Sequence, residues 1–230
     1  TISDKRIQEM CLEIIRRDLP VRWKICSGTK VETIKSEKTI ELMARAGCRY
    51  ISISPESGSP KIMKLINKPF NYDHALKLIR KMNEVGIFSQ TCFILGFPGE
   101  EHEDRMLTRK MVFEFTRAGV SEIALFIVTP VPGSDIFDEF SGYKNYSQLN
   151  FSPTWRQDYN KINHFRVKLY GEFLWWKLRF HPVSILKQPF NFLLRKFNTK
   201  MEMTPYRAMH IALILKGFIG KINQPTNSKK

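Results

Sequence analysis

Residues 50–59 of the chain read YISISPESGS. Ile51 and Ile53 alternate with Ser52 and Ser54, and the run then stops at Pro55-Glu56-Ser57-Gly58-Ser59. A period of two predicts a strand whose side chains point to opposite faces. Proline, serine and glycine are ordinary turn residues. The turn therefore has two readings. It is a solvated connection, or it delivers Glu56 to a group that needs a negative acceptor.

Working outward, three more short apolar runs predict strands at 21–27, 89–95 and 122–128, beside the one at 50–54. Between them lie SEKTIELMARAG (36–47), NYDHALKLIRKMNEVG (71–86) and EHEDRMLTRKMVFEFTRAG (101–119). Each carries apolar residues at helical spacing and ends on glycine, the usual helix stop. Ile40, Met43 and Ala44 share one such stripe; Ala75, Leu76, Ile79 and Met82 share another. The opening TISDKRIQEMCLEIIRR also reads as a helix, capped by Ser3 or Asp4. A chain that opens inside structure is expected to be part of something longer.

Strand and helix in alternation predict βα units feeding a parallel sheet. The near-continuous apolar runs CFILG and ALFIV predict strands covered on both faces. The fold class is α/β: a partial parallel (β/α) barrel with a helical C-terminal extension. Chemistry on such a fold sits where the strands end. The four exits are Ser27-Gly28-Thr29-Lys30, PESGS (55–59), GFPGEE (96–101) and TPVPGS (129–134).

Composition agrees with a packed domain, since 43% of residues are apolar and 12% aromatic. Cys11, Cys26, Cys48 and Cys92 stand 15, 22 and 44 residues apart, so no CxxC pair exists. The five histidines form no HxxH or HExxH either. Reduced, mostly buried thiols in a cytoplasmic protein are expected, and the start shows no signal-peptide pattern.

The succession ELMARAGCRYISISPESGS, KLINKPFNYDHALKLIRKMNEVGI, CFILGFPGEE and LFIVTPVPGSDIFDEF covers roughly residues 1–140. In order and spacing it resembles the radical S-adenosylmethionine (SAM) superfamily. It is most similar to the branch whose members often carry an upstream cobalamin-binding domain. The resemblance implies SAM, a 4Fe–4S cluster and, in that branch, cobalamin as cofactors. It implies about four βα units of a six-unit barrel. Members hold the cluster with CxxxCxxC on the loop after the first strand. This chain has no such motif. The resemblance thus implies cluster ligands upstream, and a C-terminal portion that is inactive alone. That portion would supply the adenosine side of the SAM pocket and part of the substrate pocket, for 5′-deoxyadenosyl-radical or cobalamin-dependent methyl-transfer chemistry.

The resemblance also assigns contacts. Glu56, in SPES where the family has GIES, would meet the SAM ribose, with Ser57 beside it. Ile94, Leu95 and Gly96 would line the adenine, and Thr129 and Pro130 would close that side. Lys30 stands where relatives often have arginine and would meet the SAM carboxylate or a substrate anion. It assigns no catalytic residue or metal ligand within the chain. Each position has a plainer reading as well: a turn carboxylate, a helix cap, or a tight βα turn. Glu100 and Glu101 fit best as the N-terminus of the following helix.

The charge is uneven. Residues 1–155 hold 22 Lys/Arg against 19 Asp/Glu, whereas 156–230 hold 15 against 3. The expected organisation is the barrel portion at 1–140, a linker at 141–160, a basic, aromatic-rich helical extension at 161–222 and a disordered tail at 223–230. Pro182, Pro189 and Pro205 are expected to break the helices of the extension. Lys216 interrupts its longest apolar stretch, short of a membrane span. The extension suits an anionic membrane surface, at the inner face of the membrane, or packing against the barrel bottom or another domain; nucleic acid is disfavoured. No motif selects a substrate beyond a small or lipid-like molecule. The alternative function is a non-catalytic basic module, binding membrane or nucleic acid, on a βα scaffold.

Overall fold

The computed structural model describes residues 3–222, with side chains through residue 212. The tail expected to be disordered at 223–230 lies outside the described residues. The chain divides after Pro182 into two compact units.

The first unit opens with α1 (Asp4–Arg16), capped by Ser3, whose Oγ accepts from the Arg6 N–H at 3.3 Å. It continues through β1 (Trp23–Thr29), α2 (Glu37–Arg45), β2 (Cys48–Glu56), α3 (Pro60–Leu65) and α4 (Tyr72–Glu84). Then follow β3 (Phe88–Leu95), α5 (His102–Arg117), β4 (Glu122–Ile127) and α6 (Tyr159–Phe180). The strands form one sheet in the order β1-β2-β3-β4, and every neighbouring pair is parallel. All four C-terminal ends therefore share one edge.

Helix α2 touches α4, α4 touches α5 and α5 touches α6, so the helices form one layer. In α4 the buried stripe is Ala75, Leu78, Ile79 and Met82; Leu78 takes the place expected of Leu76, completing the i, i+3, i+4, i+7 pattern. The sheet meets this layer through Phe93, which packs on Phe115 with ring centroids 6.4 Å apart, and through Leu95 and Ile127, which pack on Ile162 of α6. Each fully buried side chain of this size contributes about 1.5–3 kcal/mol.

The opposite face is polar. Glu122 Oε1 accepts from Gln90 Nε2 at 2.9 Å and from the Tyr50 hydroxyl, and Ser52 Oγ donates to Gln90 Oε1 at 2.9 Å. Burial, then the neighbouring Glu122, raises the pKa of Tyr50. Further along this face Cys92, Ile94 and Ala124 are only partly buried, and Phe126 is 41% exposed. CFILG and ALFIV are thus covered on one face, not on both as their composition suggests. Among the described elements the helices that touch these two strands supply cover from one side only.

Strand β2 runs past Pro55 to Glu56. Ile53 pairs with Thr91 but Glu56 with Phe93, so β2 spends one extra residue in a bulge. A proline is tolerated there because no ladder donor is lost. Glu56 has φ 63°. The turn that follows is bolted to α5: the Gly58 N–H donates to Thr108 Oγ1 at 3.0 Å, and Ser59 Oγ donates to Asp104 Oδ1 at 2.6 Å. Burial works to raise the pKa of Asp104, but Ser59, the Glu101 N–H and Lys61 outweigh it and the net shift is downward. Ser59 also caps α3, a helix absent from the sequence expectations although Ser59-Pro60 is a cap followed by proline at the first helical position.

After β3, Gly96 (φ 82°) donates its N–H to Glu100 Oε2 at 2.7 Å. The Glu100 side chain is fully buried beside Arg105, and burial raises its pKa. Glu101 caps α5 in a reciprocal arrangement with Asp104. Helix α6 packs on β4 and α5, where Arg109 pairs with Glu172 at 2.7 Å and the Leu125 N–H donates to Tyr170 Oη at 2.9 Å.

The second unit contains α7 (Pro182–Leu186), α8 (Gln188–Leu193) and α9 (Lys200–Ile222). Pro182 stands at the break between α6 and α7, and Pro189 lies in the first turn of α8. Pro205 lies inside α9 instead of breaking it. At the sixth position of that helix proline forfeits one backbone hydrogen bond, and the remaining turns hold. Among the described residues, no helix is long and apolar enough to cross a membrane.

Two outcomes are expected. A Cβ on Gly58 would lie 2.4 Å from the Leu107 carbonyl oxygen, so Gly58→Ala overpacks against backbone. It should cost about 2–3 kcal/mol and lower Tm by roughly 5–10 °C in thermal melts. Because its pKa is raised on folding, Glu100 favours the folded state at pH below its unfolded value and loses that contribution as pH rises through the folded value. Glu100→Gln keeps the acceptor for Gly96. The variant should gain stability relative to wild type as pH rises from about 4 to 7, read from paired denaturant titrations.

Candidate functional site

The common edge brings together the four exits that the sequence marks. Ile94, Thr129 and Pro130 line one slot of about 470 Å3, with Phe126, Tyr146 and Phe151 supplying its aromatic walls. No charged side chain lines it. Thr129 Oγ1 donates to the Asn150 carbonyl at 2.7 Å, which ties the rim to the segment carrying Tyr146 and Phe151. Phe126 and Phe151 are tilted rings 6.3 Å apart. Ile94 also packs against the buried cluster of Ile62, Phe97 and Val128.

The other expected contacts lie elsewhere. Leu95 turns its side chain to the helix face, fully buried between Ile127 and Ile162, and its carbonyl accepts from the Val128 N–H at 2.9 Å. Gly96 has both backbone groups engaged, the N–H by Glu100 and the carbonyl by Arg156 Nη2 at 2.9 Å. Ser57 is buried, with its hydroxyl 3.3 Å from Thr108 Oγ1 and accepting from the Ser59 N–H at 3.1 Å. It braces the turn; the α3 cap is Ser59. Lys30 is exposed at the exit of β1 and outside the slot lining. Glu56 ends β2, and its carboxylate accepts from Lys68 Nζ; the two side chains are 15% and 23% exposed, and neither lines the slot.

Several participants were missed in the sequence. Phe126 was legible, because it stands beside Ile94 in the register and shares its face. Tyr146 and Phe151 lie in the stretch that reads as linker. Lys68 meets Glu56 only because α3 folds back over the strand ends. Arg156 bonds the carbonyls of Val128 at 3.0 Å and Gly96 at 2.9 Å, closing the β3 and β4 ends together, and no local pattern announces it.

In chemical terms the slot suits a flat, mostly apolar group of adenine size, held by aromatic faces and backbone polar groups. It offers no charged partner to a carboxylate. Among the described residues, no three His, Cys, Asp or Glu side chains gather as a metal-holding group. The buried Cys48 thiol is pushed up to about 12 by desolvation.

Comparison with known proteins bears on the same segment. Residues 2–112 match the profile of the Radical SAM superfamily. The anaerobic magnesium-protoporphyrin IX monomethyl ester cyclase of Rubrivivax gelatinosus is 31% identical over 140 residues, 60% of this chain and 24% of the cyclase. An uncharacterized methyltransferase of Pyrococcus horikoshii is 26% identical over 157 residues, 68% of this chain and 32% of that protein. The chain thus spans a quarter to a third of the length of these relatives. The radical SAM methyltransferase TsrM of Kitasatospora setae, solved with tryptophan and a SAM analogue, overlays on 57% of this chain and 26% of its own at 20% identity, with a TM-score of 0.46. That score is too low to define a shared fold. The profile match makes residues 2–112, just under half of the chain, a Radical SAM superfamily segment.

Proposed function

We propose that the chain supplies the adenosine side of a SAM site, and part of the adjoining substrate pocket, in a radical SAM enzyme. The observation that carries this reading is the uncharged aromatic slot at the C-terminal ends of β3 and β4, where Ile94, Thr129 and Pro130 converge. On this reading the sheet is part of a six-unit barrel. The cluster thiolates come from outside these residues, because no CxxxCxxC occurs in them. In a methyl-transferring or ring-forming relative, cobalamin would likewise be held by a separate domain.

Bound SAM and a reduced 4Fe–4S cluster would supply a carbon radical that takes hydrogen from the substrate. This chain's residues bind, orient and exclude water. Phe126 and Phe151 flank the adenine, which would cover their exposed faces. Arg156 fixes the Gly96 and Val128 carbonyls, so the rim is preorganised. Glu56 is the acceptor for ribose hydroxyls, with Lys68 holding its carboxylate in place. The Tyr50–Glu122–Gln90 network forms the polar floor of the substrate side.

Equilibrium dialysis of S-adenosylhomocysteine tests the assignment. Wild type should bind saturably. Ile94→Lys puts a charge into the slot and should weaken binding at least about tenfold, and Glu56→Gln removes a charged acceptor at a cost of about tenfold. Ala substitution at exposed Lys30 serves as control and should change binding less than about twofold. If wild type fails to bind, or both site variants bind as wild type does, the adenosine reading is wrong.

A further inference from the structure

The second unit shows an apolar surface that needs a partner. Val183, Leu186 and Phe190 follow at three- and four-residue steps, and Leu193 and Leu194 lie three and four residues beyond Phe190, along α7, α8 and the residue that caps it. The path is nearly continuous helix: Lys187 N–H donates to the Val183 carbonyl at 3.1 Å, Asn191 to Lys187 at 3.0 Å and Leu194 to Phe190 at 2.9 Å. These five side chains lie on one side and are between 60% and 77% exposed. A helix of a water-soluble domain turns such a stripe inward. Here the inward contacts belong to other residues: Phe192 and Phe197 meet Tyr206 at 5.7 Å and 5.1 Å.

Charge identifies what covers the stripe. Lys187, Arg195, Lys196 and Lys200 border it and are exposed. Residues 183–230 hold nine Lys/Arg against Glu202 alone. A second basic copy would be repelled, and the centre of a protein interface is depleted of lysine. The helical path from 183 to 194 is about 18 Å long, too short to cross a hydrocarbon core of about 30 Å but long enough to lie flat on it. Apolar side chains on one side and basic residues at the border are the chemistry of an interfacial helix on anionic lipid.

We propose that α7–α8 docks this protein on the surface of an anionic phospholipid bilayer. Phe190, Leu193 and Leu194 enter the acyl boundary, while Lys187, Arg195 and Lys196 meet headgroup phosphates. This inference is independent of the SAM site and stands or falls separately from it.

Co-sedimentation of the whole chain with phosphatidylcholine vesicles, with and without phosphatidylglycerol, reads the proposal. Partitioning should be at least about tenfold higher on the anionic vesicles and should fall severalfold at high salt. Leu193→Ser with Leu194→Ser should lose at least about tenfold of it with the thermal melt unchanged, since both residues are exposed. Arg195→Glu with Lys196→Glu should abolish the preference for anionic lipid. Equal partitioning on both vesicle types, or no partitioning, overturns the proposal, as does a serine variant that binds as wild type. So does light scattering that shows a dimer dissolved by the serine variant, which would make a second copy the occupant. Displacement from vesicles by RNA that survives the serine variant would also overturn it.

Discussion

Everything at the functional edge depends on how β2 ends. The strand carries an extra residue before Glu56, and the next three residues are taken up by α5: Gly58 by Thr108, Ser59 by Asp104, and Ser57 by Thr108 again. Gly58 lies so close to the Leu107 carbonyl that no side chain fits between them. Two constraints are satisfied together. The bulge leaves Glu56 at φ 63°, and the anchored turn starts α3 with a capped, proline-led first turn. Helix α3 then carries the chain back so that Lys68 meets Glu56.

The same economy recurs at β3 and β4. Gly96 is held from below by Glu100 and from above by Arg156, which also takes the Val128 carbonyl. A fully buried carboxylate is costly. Glu100 is retained because a backbone donor and Arg105 partly compensate it, yet burial still pushes its pKa up. The rim is therefore a set of backbone positions locked by side chains, with the slot surface left to Ile94, Thr129, Pro130 and aromatic rings. That division suits a site in which cofactors perform the bond-breaking and the protein holds and shields them.

The chain also joins two kinds of surface chemistry. In the first unit acids and bases are closer to balance and some of them pair, as with Arg109–Glu172 and Lys61–Asp104. In the second, bases greatly outnumber acids and large apolar side chains face outward. The asymmetry visible in the composition thus corresponds to a real difference in how side chains are used. A boundary placed from the loss of βα rhythm nevertheless came too early. Helix α6 packs on β4 and α5, with Ile162, Leu169 and Phe173 buried.

Sequence alone determined the four parallel strands, the helix starts at Ser36 and Asn71 and, to within one residue, at Ser3, and the edge at which all four strands end. These follow from short-range periodicity and capping, which a local stretch carries within itself. Tertiary structure decided which of these residues line the slot. Leu95 and Ile94 are neighbours in one apolar run, yet one is buried under α6 and the other lines the slot. Lys68, Arg156 and Phe151 reach the site across 12 to 60 residues of sequence. Their contacts are set by how helices and loops pack over the strand ends, and packing between distant segments leaves no periodic trace in either.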